Sequence, residues 1–155
     1  MRLKDSISEE WVVLTPSVSS KKRALEILSE LLAKQHSSLT KNKILDALLS
    51  RERLGSTGLG NGIAIPHCRI NELDNVYTAI LKLEEGVEFE APDNLPVTFL
   101  FCMIVPEDAA DNYLKLLANL SKLLDNEHIH KSIEKCKNAK CLCQLLCQRP
   151  KHLAA

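Results

Sequence analysis

Val97-Thr-Phe-Leu-Phe-Cys-Met-Ile-Val105 carries Thr98 as its one polar side chain, and Pro106 follows it. Strands with one wet face alternate apolar and polar residues. A run without alternation reads as a strand covered on both faces. Proline has no amide to give to a ladder, so Pro106 ends the run. A doubly covered strand demands amphipathic helices on both sides, and the rest of the chain supplies them. Ser19 or Ser20 caps a helix that buries Ala24, Leu25, Ile27, Leu28, Leu31 and Leu32 at helical spacing. His36-Ser-Ser breaks it, and Thr40 caps a second helix through Ile44, Leu45, Leu48 and Leu49. Gly55 is placed to end that helix in a left-handed turn. Beyond Pro106, Glu107, Asp108 and Asp111 suit the start of a long helix. Its stripe is Tyr113, Leu116, Leu117, Leu120, Leu123 and Leu124, and shorter helices follow around His128–Cys136 and Ala139–Gln148.

The remaining strands are shorter. Trp11-Val-Val-Leu14 is a first or edge strand closed by Thr15-Pro16. Val76 to Leu83 is the next, Glu84-Glu85-Gly86 turns the chain, and Val87 to Phe89 is a short strand. The pattern predicts an α/β (α+β) fold, a small mixed sheet with helices packed on both faces in three layers. At 155 residues the chain fits one domain over 1–149 with a tail at 150–155.

A formal net charge of zero argues against a general nucleic-acid or anionic-membrane binder. The charge is nonetheless divided. Residues 71–111 hold ten acidic side chains and one lysine, Lys82; from Asn112 onward there are eight basic and three acidic ones. Such a split reads as solvated faces of opposite sign, with a docking surface as the alternative. The opening residues are polar and no apolar run is long enough to span a bilayer, so a cytoplasmic location and six reduced cysteines are expected. Cys136, Cys141, Cys143 and Cys147, with His128 and His130 nearby, lack the paired spacing of a zinc site and read as small buried hydrophobes. Cys68 reads the same way, with oxidation sensing as the alternative.

Chemistry concentrates between Arg51 and His67, where Gly55, Gly58, Gly60 and Gly62 crowd together with Ser56, Thr57 and Asn61 among them. Ile63-Ala-Ile65 reads as a buried strand that Pro66 ends, presenting His67 at its mouth. A strand-end histidine facing a hydroxyl-lined glycine loop suits phosphate handling or proton transfer. The loop lacks both the dinucleotide fingerprint, because a strand follows it, and the Gly-Lys-Ser/Thr ending of a P-loop. Arg51 falls on the last turn of the preceding helix, where a cation is favoured.

The run Arg51-Glu-Arg followed by Gly-Ser-Thr-Gly-Leu-Gly-Asn-Gly-Ile-Ala-Ile-Pro-His67 resembles the phosphorylation-site signature of the fructose/mannitol-type enzyme IIA family of the bacterial phosphotransferase system. It is most similar to the nitrogen-regulatory branch, EIIA-Ntr, and a weaker likeness extends from Ser20 to about Leu124. The resemblance implies that His67 accepts a phosphoryl group from an HPr-like phosphocarrier protein. It implies that Arg51 stabilises the phosphate, with Ser56, Thr57, Tyr113 and loop amides as further donors. No metal or organic cofactor is required by such chemistry. Regulatory target proteins would read the phosphorylation state, so the chain would be a phosphohistidine carrier rather than a turnover enzyme on a small molecule. Many family members have a second histidine where this chain has Tyr113, and the phenol is expected on the inward face of its helix with its hydroxyl near His67. Two rivals are a sugar-specific enzyme IIA that passes phosphate to a permease domain and a non-phosphorylated interaction module on the same fold.

Overall fold

The computed structural model describes residues 5–108 and 110–147; the tail expected at 150–155 lies outside the described residues. In chain order they form β1 (Val12–Thr15), α1 (Lys21–Ala33), α2 (Lys41–Arg53), β2 (Gly58–Gly60), β3 (Ile63–Ala64), β4 (His67–Ile70), β5 (Tyr77–Val87), β6 (Val97–Pro106), α3 (Ala110–Leu124), α4 (Glu127–Lys135) and α5 (Ala139–Cys147). A 3-10 turn, Glu9–Trp11, precedes β1. The strands make one mixed sheet in the order β1-β5-β6-β3-β2, with β4 also pairing to β6. β5 runs antiparallel to β6, whereas β3 and β4 run parallel to it.

The apolar run forms the centre of this sheet, and its side chains divide by parity. Leu100, Cys102 and Ile104 enter a core shared with Leu25, Leu28, Ile44 and Leu48 of α1 and α2. Phe99, Phe101, Met103 and Val105 enter a second core with Tyr113, Leu116, Leu120, Ile129, Ile133 and Leu142 of α3, α4 and α5. The mixed sheet with helices on both faces is therefore the observed architecture. The helix starts also follow their caps. Ser20 Oγ accepts the Arg23 amide at 3.1 Å and Thr40 Oγ1 the Lys43 amide at 3.2 Å, satisfying donors that a first turn leaves open.

Several local expectations need correction. Gly55 does sit just past α2, but with φ +154°, outside the left-handed helical region. Glu84-Glu85-Gly86 does not turn the chain, and no separate strand covers Val87 to Phe89. β5 continues to Val87 through a bulge in which the Glu84 and Glu85 amides both donate to the Pro16 carbonyl, at 3.2 and 2.9 Å. Gly86 serves a close approach instead: a Cβ there would lie 2.6 Å from Pro96 Cβ. The glycine stretch is likewise no open loop. Gly58–Gly60 is a strand antiparallel to β3, and Asn61 and Gly62 form the bend at φ +58° and +79°. Pro66 does not end the strand path either. It interrupts it, and β4 resumes against Met103–Pro106 with the Met103 amide donating to Pro66 O at 2.9 Å.

The expectation of six reduced cysteines fails at one pair. α4 ends at Lys135 and α5 begins at Ala139, and this short link brings the Cα atoms of Cys136 and Cys141 to 5.5 Å, where a disulfide joins them. Cys68 and Cys102 are buried thiols, and Cys143 and Cys147 are half-buried ones.

The Gly86 contact yields a direct test. Gly86→Ala should destabilise the fold by about 1–3 kcal/mol, the usual cost of overpacking, because the nearest neighbours are ring and backbone atoms of Pro96. Urea denaturation should show a lower midpoint at unchanged slope. An unchanged midpoint would mean that the 84–96 segment yields freely.

Candidate functional site

His67 opens β4 beside Pro66, and its backbone is pinned through the pairing with Met103. Its ring is held from within its own segment, because Nδ1 lies 2.8 Å from the Ile65 carbonyl oxygen. A carbonyl only accepts, so Nδ1 carries the proton and Nε2 keeps its lone pair. Burial pushes the His67 pKa below the usual histidine value; the bond to Ile65 opposes this, Arg51 lowers it further, and Glu52 raises it. The site therefore favours a neutral imidazole with a nucleophilic nitrogen at neutral pH.

Arg51 and Glu52 are consecutive on the last turn of α2 and do different things. Arg51 Nη1 donates to the Gly55 carbonyl at 2.8 Å on the exposed side, keeping its charge within electrostatic reach of His67. Glu52 turns inward, and its side chain is only 5% exposed. Its Oε2 accepts the Thr57 amide at 3.1 Å and pairs with Lys21 Nζ at 2.9 Å, while Oε1 accepts the Thr57 hydroxyl. A buried carboxylate demands such partners. Lys21 is in turn steadied over the Phe89 ring, 4.4 Å from its centroid.

The hydroxyls expected to face a phosphate are thus occupied. Thr57 Oγ1 donates to Glu52, and Ser56 Oγ donates to Phe89 O at 2.7 Å while accepting the Gly58 amide at 3.1 Å. Loop amides are committed as well: Ile65 N donates to Thr57 O at 3.0 Å and Asn61 N to Asp93 Oδ2 at 2.8 Å. With these bonds Ser56 and Thr57 build the hairpin that leads to His67.

Tyr113 is one of the groups the fold brings there. It is buried on the first turn of α3, its ring centroid 6.1 Å from that of His67 at an interplanar angle of 49°. The contact is ring to ring. Burial pushes the phenol pKa up, with Arg69 and then Arg51 pulling it down, so it stays protonated near neutral pH. Arg69 went unnoticed in the sequence. Its guanidinium carbon lies 5.3 Å from the Tyr113 centroid, a cation–π distance. The signal was available, since Arg69 follows His67 by two residues and side chains two apart on a strand share a face.

Cys68, between them, points the other way into the α1–α2 core, where burial pushes its thiol up to about 12. That is the environment of an inert thiol. Among the described residues no cluster of three or more His, Cys, Asp or Glu side chains is arranged to hold a metal ion. No helix among them is long and apolar enough to cross a membrane.

Residues 5–148 match the family model described as phosphoenolpyruvate-dependent sugar phosphotransferase system, EIIA 2. A nitrogen regulatory protein of Pseudomonas aeruginosa is 38% identical over 141 residues, covering 86% of this chain and 92% of that protein. A fructose-specific EIIA component of Haloferax volcanii is 32% identical over 124 residues, covering 80% of each. The crystal structure of the nitrogen regulatory protein IIA-Ntr from Neisseria meningitidis superposes with a TM-score of 0.88 at 35% identity, covering 93% of this chain and 98% of that one. The chain belongs to the enzyme IIA family of the phosphoenolpyruvate-dependent sugar phosphotransferase system, in its nitrogen-regulatory branch.

Proposed function

We propose that His67 is a phosphoryl acceptor, charged by the phosphohistidine of a small HPr-like carrier protein, and that its phosphorylation state is a signal read by regulatory partners. The observation that carries this reading is the 2.8 Å contact of Nδ1 with Ile65 O. It leaves Nε2 as the atom that attacks phosphorus. The new P–Nε2 bond forms as the donor's P–N bond breaks; with the donor ring protonated on its other nitrogen, as His67 is on Nδ1, the carrier's imidazole leaves neutral and no proton needs to move. Such transfer is catalysed mainly by positioning and by charge at the equatorial oxygens. Arg51 supplies a permanent cation with a planar donor fork. Tyr113 supplies one neutral donor and walls the site, and Arg69 keeps a second cation nearby. Ser56 and Thr57 act indirectly, by holding the hairpin that frames the histidine. A cytoplasmic setting follows from this partnership.

The test is to incubate the protein with the phosphorylated carrier and map the label. His67→Ala should take up no phosphate while its circular dichroism is unchanged. Recovery of phosphate on His36, His128, His130 or His152 would overturn the assignment. Arg51→Ala should slow transfer by about 10- to 100-fold, since charge-assisted hydrogen bonds are worth roughly 1.5–3 kcal/mol each. Arg51→Lys should restore part of that rate, because an ammonium lacks the fork. Equal rates for the wild type and Arg51→Ala would reduce the arginine to a helix end.

Acid should slow uptake only once the neutral imidazole is lost. Because burial lowers the His67 pKa, the rate should hold through the ordinary histidine value of about 6.5 and fall below it. Tyr113→Phe should slow uptake modestly with packing intact, and Tyr113→His should add a second titration to the profile. A single titration in Tyr113→His, at the wild-type position, would place that side chain outside the reaction.

A further inference from the structure

The α4–α5 link holds a second concentration of reactive side chains that phosphoryl transfer does not use. Cys136 is the C-cap residue of α4 and is 2% exposed. Its amide donates to Ser132 O at 3.2 Å and Ile133 O at 3.1 Å. Its carbonyl oxygen accepts a bond from Lys82 Nζ, which also reaches Ile133 O at 2.7 Å and Glu134 O at 3.1 Å. Lys82, the one lysine of the acidic stretch, thus reaches across from β5 to cap α4. Cys141 is half-buried on the first turn of α5, where its amide donates to Asn138 Oδ1 at 2.8 Å. Each cysteine is fixed by its own cap, and their Cα atoms are 5.5 Å apart, within the range a disulfide spans without moving backbone. A pair held this way can lose its bond and keep its place.

The surroundings distinguish the two. Cys141, at the N-terminus of α5, is half-buried and open to an incoming reagent, whereas Cys136 is closed off. Lys137 and Lys140 flank it, with Lys135 close in sequence and Glu134 the one acidic residue of the segment 128–147. At Cys143, two residues on, burial pushes the thiol up, with Cys147 and Glu9 adding to the effect.

We propose that Cys136 and Cys141 are a reversible dithiol–disulfide couple that exchanges with small anionic disulfides of the glutathione class. The Cys141 thiolate attacks one sulfur of the oxidised tripeptide, forming a mixed disulfide and expelling one tripeptide thiolate. Cys136 then loses its proton, attacks Cys141 Sγ and expels the second. Two protein thiols are oxidised, one external disulfide is reduced to two thiols, and electrons balance. The lysines at 137 and 140 meet the carboxylates of the incoming tripeptide. The buried Cys136 is reached only from Cys141, which makes it the resolving thiol.

The experiment uses the full chain in buffers of graded reduced-to-oxidised glutathione ratio, quenched with acid, alkylated and mapped by peptide mass spectrometry. The Cys136–Cys141 linked peptide should pass from absent to dominant across the series while circular dichroism stays native. Cys136→Ala should accumulate one glutathione, on Cys141, and Cys141→Ser should leave Cys136 without an adduct. Lys137→Gln with Lys140→Gln should form the adduct several-fold more slowly. A bond that neither opens nor closes at any ratio in the folded protein overturns the proposal. So does first modification of Cys143 or Cys147 in the Cys136→Ala variant.

Discussion

Everything in this protein leans on β6. It is paired on both sides and covered on both faces, so its ten residues have no freedom to shift register without turning core side chains outward. That rigidity reaches His67 by a short route. β3 and β4 pair with successive parts of β6, at Phe99–Leu100 and at Met103–Pro106, with Ile65 and Pro66 between. A proline on an unbroken inner strand would cost a ladder bond. Here the break is the useful part: Pro66 still accepts from Met103 through its carbonyl, and Ile65 turns its own carbonyl toward the His67 ring. The residue that interrupts the ladder therefore precedes the one that needs a fixed tautomer.

The electrostatics of the site follow from two adjacent residues on one helical turn. Consecutive helix positions point about 100° apart, so Arg51 faces outward, its charge felt at His67, while Glu52 faces the hairpin. Glu52 holds Thr57 through both its amide and its hydroxyl, and Lys21 from α1 neutralises it. The consequence is a division of labour: the carboxylate ties the glycine hairpin to the helix, and the guanidinium stays available. Were Thr57 the phosphate ligand, its hydroxyl would have to leave a charged acceptor in a buried place. That exchange is costly unless the phosphate replaces the bond in full.

How much of this was legible depended on whether the deciding interaction was local. The Ser20 and Thr40 caps, the doubly covered strand and the leucine stripe of α3 could be read because each depends on neighbours within a turn or on simple periodicity. The hairpin of Gly58–Ala64 has a local signal as well. Asn61-Gly62 between short runs is a strong turn signal, but the crowd of glycines around it read as loop. Other features had no local signature. Gly86 looks like a turn residue until Pro96, ten positions later, is seen packed against it. Glu52 looks like one more surface charge until Lys21 and Thr57 close around it. The Cys136–Cys141 bond depends on how sharply α4 gives way to α5, and residue spacing alone does not report that angle.

Tyr113 sets beside His67 a group that stays protonated near neutral pH. Its ring occupies a buried place beside His67, so the residue there must be a flat side chain that packs, whatever else it does. A histidine would add a group that titrates in the same range as the acceptor, and two such groups in contact share their protonation. With tyrosine, the phenol remains neutral and His67 titrates without a competing proton at its side. Arg69 over the phenol face brings positive charge that a protonated histidine would otherwise bring, and it does so at every pH. Tyr113 thus fills the wall beside His67, and Arg69, over its face, brings the cation.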